Sequence, residues 1–155
     1  MEIDSKPYGT IEIDESKTVT ITDGLMGFEG LEEYAIIGRE EEQPFEWLQS
    51  IEDPSLAFVI CEARALIPDY ELSILQEDYN DLGAESEDDI ITYLIVVVPE
   101  NPEEMTVNMK GPVVINQKNF VGKQIINQVD EYGVKHRLLD ELEDPSDLEL
   151  TSSET

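Results

Sequence analysis

The sequence predicts a mostly β protein: a compact, antiparallel, β-barrel-like single domain with one short helix, about Glu71 to Leu82. Three observations carry that expectation. Apolar and polar residues alternate in several short segments, the period-2 signature of half-buried strands. Leu72, Leu75, Tyr79 and Leu82 alone repeat convincingly at helical spacing. Turn formers such as Asp23-Gly24, Asp53-Pro54 and Tyr132-Gly133 punctuate the chain. About nine or ten short strands with one helix point to an antiparallel barrel or sandwich.

In order, Ile11 and Ile13 alternate with Glu12 and Asp14, and Val19 and Ile21 with Thr18, Thr20 and Thr22. These are two strands joined through Asp14-Glu15-Ser16-Lys17. Residues 24–30, GLMGFEG, hold three glycines and two exposable hydrophobes and form a structured loop. Residues 34–37 and 45–51 are strands on either side of a charged turn, and the fully apolar 56–61 belongs in the middle of a sheet. Pro68-Asp69-Tyr70 opens the helix and Gly83 stops it. Ser86-Glu87-Asp88-Asp89 has the form of a capping box with Asp in place of Glu, giving one helical turn. The β-branched run 90–98 is a buried strand. Residues 112–115 and 120–126 flank the polar turn Asn116-Gln117-Lys118-Asn119, a hairpin entered through Gly111-Pro112. Gly122 sits near that turn, where a left-handed or bulged backbone is cheapest. Residues 134–139 are the last strand. The domain is expected to span 1–139, and 140–155 to be an acidic tail, disordered or ordering on binding.

The 155 residues carry a net charge of -28. Residues 105–139 run against that trend, with Lys110, Lys118, Lys123, Lys135 and Arg137 against Asp130 and Glu131. Residues 105–128 contain no acid at all, which makes that stretch a candidate contact surface. An acidic body repels nucleic-acid phosphates and acidic membranes, so neither is an expected partner. A basic protein is, with simple solubility as the competing explanation. The longest apolar runs, 56–61 and 90–99, fall short of a membrane span. The N-terminal residues show no basic n-region or apolar h-region, and the single Cys61 fits a reducing compartment. The expected location is the cytoplasm.

Candidate chemistry is sparse. Residues 78–89 place Asp78, Asn80, Gly83 and Asp89 at the first, third, sixth and twelfth positions of a calcium loop. Leu82 and Glu85 break the pattern at the fifth and eighth, and a strand-like run follows where a helix is required. A helix end and a solvated loop is the better reading. His136 lacks a local Cys or His partner and reads as a solvent-facing polar residue. Cys61 ends an apolar run beside Glu62 and reads as core. Ser50, Ser55 and Ser73 sit in no nucleophile elbow. Gly122-Lys123 lacks the upstream glycine of a phosphate loop. No enzyme, cofactor or metal is expected.

Several pieces taken together resemble the flagellar assembly factor FliW family. They are Tyr8-Gly9-Thr10-Ile11-Glu12, Gly24-Leu25-Met26-Gly27-Phe28-Glu29, Pro44-Phe45-Glu46-Trp47-Leu48-Gln49-Ser50, Asp53-Pro54-Ser55-Leu56-Ala57-Phe58-Val59, Pro68-Asp69-Tyr70 and the segment 108–124. They follow the family's order and cover most of residues 8–128. Leu25-Met26 departs from the family's usual Ile-Pro pair, and the acidic tail is longer than usual. The resemblance implies a compact β-barrel-like fold and a non-enzymatic protein that binds two partners; the free protein is expected to be monomeric. One is flagellin, held in the cytoplasm. The other is the carbon storage regulator CsrA, an RNA-binding repressor of flagellin translation that this protein antagonises. The alternative is an acidic nucleic-acid mimic acting on another basic RNA-binding protein. Charge repulsion of RNA would act only within about 8 Å at physiological salt. Phe28, Phe45, Pro112, Val114, Asn116, Lys118, Asn119, Gly122 and Lys123 are the expected partner-binding residues, with the two phenylalanines as apolar anchors.

Overall fold

The structure, a computed structural model, describes residues 1–138. The expected tail lies outside the described residues. A hairpin of β1 (Glu2–Ser5) and β2 (Gly9–Glu12) comes first; β1 is a strand that the sequence reading did not place. Seven strands then close into a barrel. They are β3 (Val19–Ile21), β4 (Glu33–Ile37), β5 (Phe45–Ser50), β6 (Ala57–Glu62), β7 (Ile90–Val97), β8 (Thr106–Asn116) and β9 (Val121–Gln124). From β3 to β9 each strand pairs antiparallel with its successor. A parallel seam between β3 and β9 completes the closure, with Thr20 opposite Val121 and Ile21 opposite Gly122. Closure removes the sheet edges that would otherwise invite pairing with another chain. The short β10 (His136–Arg137) adds to the start of β8.

Alternation along each strand sends one set of side chains inward and the other outward. Val19, Ile21, Tyr34, Leu48, Ile60, Tyr93, Val113 and Ile115 meet in the lumen, joined by Leu25 from the loop. The outward set is covered piece by piece. The β1–β2 hairpin lies over Ala35 and Ile37. The helical turn α1 (Ala63–Leu66) and the segment after it lie over Cys61, Leu94 and Val96. The helix α2 (Gln76–Leu82) brings Leu82 onto Val114. Each fully buried Leu or Ile contributes about 1.5–3 kcal/mol.

The helix is shorter than the spacing predicts. Its N-cap is Leu75, and residues 70–75 precede it in irregular conformation. The physical reason is that their backbone groups are spent elsewhere. Glu71 N donates to Tyr132 Oη, Ser73 N donates to Asn127 Oδ1, and Ser73 O accepts from Gln128 N. Asn127, itself fully buried, also donates to Glu71 O and Tyr70 Oη. Leu72 therefore packs into the core from a non-helical segment, and Leu75 is left exposed. Gly83 ends the helix in the left-handed conformation, as read.

Residues 106–116 form a single strand, with Gly111-Pro112 inside it. Tyr93 pairs with Val113 but Ile95 pairs with Asn108, so β8 bulges between them. Asn108 Oδ1 accepts from the backbone N–H groups of Lys110 and Gly111 at 3.1 and 2.8 Å. Pro112, with no N–H to offer, sits where the ladder is already interrupted.

Candidate partner-binding site

The β8–β9 hairpin and α2 are built as one unit. The last turn of α2 leaves the carbonyl of Leu82 without a helical partner, and the hairpin supplies two. Asn116 Nδ2 donates to it at 3.0 Å and Asn119 Nδ2 at 3.2 Å. The other ends of both amides shape the turn itself: Asn116 Oδ1 accepts from Lys118 N, and Asn119 Oδ1 from Val121 N. Lys123 on β9 reaches the helix, with Nζ 2.8 Å from Asp78 Oδ1 and 2.6 Å from Asp81 Oδ2. Burial works to lower the Lys123 pKa, but these two bonds outweigh it and lift it to about 12. Lys118 pairs with Asp89 at 3.0 Å, which raises the lysine. Asp89 is lowered by the N–H of Glu85 and then by Lys118.

The stretch that carries no acid of its own is therefore folded against acids from the segment before it. Lys118 and Lys123 do not make a free basic patch. The same contacts occupy Asp78 and Asp89, the two acids of the calcium-like pattern, and Asp81 between them. Gly122 stands where a side chain would be crowded. An added Cβ would lie 2.9 Å from Ile21 Cδ1 and 3.0 Å from Ile115 Cγ1, inside the seam that closes the barrel.

Of the expected partner-binding residues, Pro112, Val114, Asn116 and Gly122 are buried and present no surface for contact. Packing, the helix lock and the parallel seam explain why those residue types stand there. Phe45 is half-buried against the cluster containing Cys61. Lys123 is half-buried in its ion pairs. Lys118 and Asn119 are exposed at the hairpin tip, with the Lys118 side chain 76% accessible.

Phe28 is exposed on the glycine-rich loop, together with Met26, which the sequence reading left out of its list. The loop is held rigidly. Gly24 has φ of 76°, and a Cβ there would lie 2.6 Å from Phe28 O. Leu25 bridges Phe28 and plugs into the lumen. Gln124 Oε1 accepts from Met26 N at 2.8 Å, and the Phe28 ring stands edge-on to Phe58 at 5.2 Å. A ring preorganised like that of Phe28 loses little freedom when a partner covers it.

Catalytic chemistry gains no support from the other candidates. Cys61 is fully buried, and burial followed by Glu62 and Glu46 pushes its thiol up to about 12, away from the reactive thiolate. His136 is not the solvent-facing residue expected. It is half-buried, its Nε2 accepts from Gly133 N, and its ring meets Tyr132 edge-on. Among the described residues no group of three or more His, Cys, Asp or Glu is placed to hold a metal ion. No helix among them is long and apolar enough to cross a membrane.

Comparison with known proteins covers nearly all of the described chain. The family described as "FliW protein" matches residues 2–138. A flagellar assembly factor FliW from Caldanaerobacter subterraneus subsp. tengcongensis is 44% identical over 143 residues, 92% of this chain and 95% of that one. One from Leptospira biflexa is 37% identical over 145 residues, 93% and 95% of the two chains. A crystal structure of a flagellar assembly factor FliW superposes with a TM-score of 0.82 at 33% identity, covering 89% of this chain and 96% of that one.

Proposed function

The chain belongs to the FliW family of flagellar assembly factors, and from that membership we propose that it is a non-catalytic, cytoplasmic partner-switching protein. It binds flagellin before export and, when free of flagellin, binds CsrA and relieves the block on flagellin translation. The observation that carries the reading is the family match from residue 2 to 138 at up to 44% identity. The net charge of -28 agrees with a basic RNA-binding partner, whose RNA it would repel at short range.

Contact is assigned to the exposed members of the expected set. Phe28 and its neighbour Met26 supply an apolar anchor on a rigid loop, and Lys118 and Asn119 supply polar contacts at the hairpin tip. Pro112, Val114, Asn116, Gly122 and Lys123 act at one remove, by holding α2 and the hairpin in place. Calorimetric titration of the purified chain with flagellin and with CsrA tests the reading. Saturable binding of each is expected. Heats no larger than dilution for both, from a chain with a cooperative melting transition, would remove it.

A further inference from the structure

The lumen cluster is not fully covered at one end of the barrel. Inward side chains normally close the interior of a small barrel. Here Ile36, Phe58, Ile91 and Ile95 pack against the lumen cluster yet stay partly exposed. Beside two of them opens a hollow of about 350 Å³, walled by Val19, Ile36, Ile91, Tyr93, Ile115 and Phe120. That volume exceeds the roughly 150 Å³ that admits a benzene ring, so it accepts at least one large apolar side chain.

The same end of the lumen is acidic. Cross-strand register sets Glu62 opposite Tyr93 and Glu46 opposite Ile60. Phe45 and Trp47 pack outward and Leu48 inward, so alternation turns Glu46 inward. Its Cγ is 3.3 Å from where a Cβ on Gly38 would stand, just beyond the end of β4. Burial raises the Glu46 carboxyl, and the structure shows it no hydrogen bond or ion pair among the described residues. Tyr93 walls the hollow and is pushed up to about 12 by burial first and then by Glu46 and Glu62; β5 begins and β6 ends at this same end of the barrel. Lys17 lines the edge of the hollow and is exposed.

We propose that this end of the barrel is a docking socket for a protein segment carrying an apolar side chain beside a lysine or arginine. The apolar group fills the hollow and the cation pairs with Glu46. Two physical costs of the free protein are relieved together: partly wetted isoleucines and a half-desolvated carboxylate without a cation. The charge of -28 favours a basic segment over an acidic one. The inference rests on the reading that the chain binds proteins, but not on which protein.

Isoleucine-methyl NMR of the full chain, titrated with an amphipathic leucine–lysine peptide, tests it. The expected result is a shift of the Ile36, Ile91 and Ile115 methyls, with Ile3 and Ile11 of the first hairpin unmoved. Glu46→Gln, which keeps shape, weakens binding about tenfold with an otherwise native spectrum. Ile91→Ala weakens it as well. Equal affinity in Glu46→Gln, or shifts confined outside the socket, overturns the proposal. So does uptake of decanoate at the same methyls with no dependence on Glu46, which assigns the hollow to a small anionic ligand. The two variants are then titrated with flagellin and CsrA. Wild-type binding that neither variant weakens removes the socket and leaves the proposed function standing. No wild-type binding to either protein, with the peptide seated as described, does the reverse.

Discussion

Replacing Lys123 with methionine removes the cation that ties β9 to α2 while keeping most of the side chain's reach. The ammonium lies 2.8 Å from Asp78 and 2.6 Å from Asp81, and the side chains of Lys123 and Asp78 are only 22% and 9% exposed. A fully exposed pair contributes about 0–1 kcal/mol. Stranding one partner of a fully buried pair costs about 3–5 kcal/mol. This pair lies between those limits, nearer the buried one at its Asp78 end. The expected loss is about 2–3 kcal/mol, most of it from an uncompensated Asp78. Asp81 is half-exposed and adds little. Adding Asp78→Asn to the methionine variant returns part of the loss, so a double-mutant cycle yields a coupling of about 1–2 kcal/mol. Urea denaturation with an unchanged m-value is the assay. A loss under about 0.5 kcal/mol, or no coupling in the cycle, refutes the structural role given to Lys123.

Further outcomes follow from the same geometry. Gly122→Ala forces a methyl against Ile21 and Ile115 and lowers stability by about 1–3 kcal/mol, read as an earlier urea midpoint. Glu46→Gln raises stability at pH 7 by less than about 1 kcal/mol, because the carboxyl keeps contact with solvent. Its folded pKa is raised above the unfolded value, so wild type loses stability as pH rises through that interval. The gap between variant and wild type therefore closes below the ordinary glutamate value of 4.5, as thermal melts across pH will show. Phe28→Ala gives up its edge contact with Phe58 for about 0.5–1.5 kcal/mol of stability. Its affinity for the partner seated on the glycine-rich loop falls more than about tenfold by calorimetry, the mark of an anchor at a truncation cost above about 1.4 kcal/mol.

The strands were legible because their signal is local. Val19 and Ile21 alternate with threonines, and residues 90–97 are β-branched and apolar, whatever they later pair with. What joins distant segments was not legible. The parallel seam of β3 with β9 depends on Gly122 meeting Ile21 across a hundred residues, and no short window contains both. The helix was overcalled at Leu72 because periodicity reports spacing alone. Asn127 and Tyr132, more than fifty residues away, take the hydrogen bonds that a longer helix would need. The acid-free stretch was identified correctly as a unit but for a different reason. Two of its three lysines, Lys118 and Lys123, face carboxylates of Asp78, Asp81 and Asp89, so part of its composition records an internal pairing. Phe28 was legible as exposed because glycines surround it, whereas nothing in the sequence singles out Met26, and not Leu25, as the other exposed hydrophobe of the loop.

The partner switch is tested most directly by competition. The purified chain is first bound to CsrA, flagellin is then added, and the species are separated by size. Release of free CsrA with formation of a flagellin complex is the expected result. A stable ternary complex, or CsrA retained while flagellin stays unbound, contradicts it.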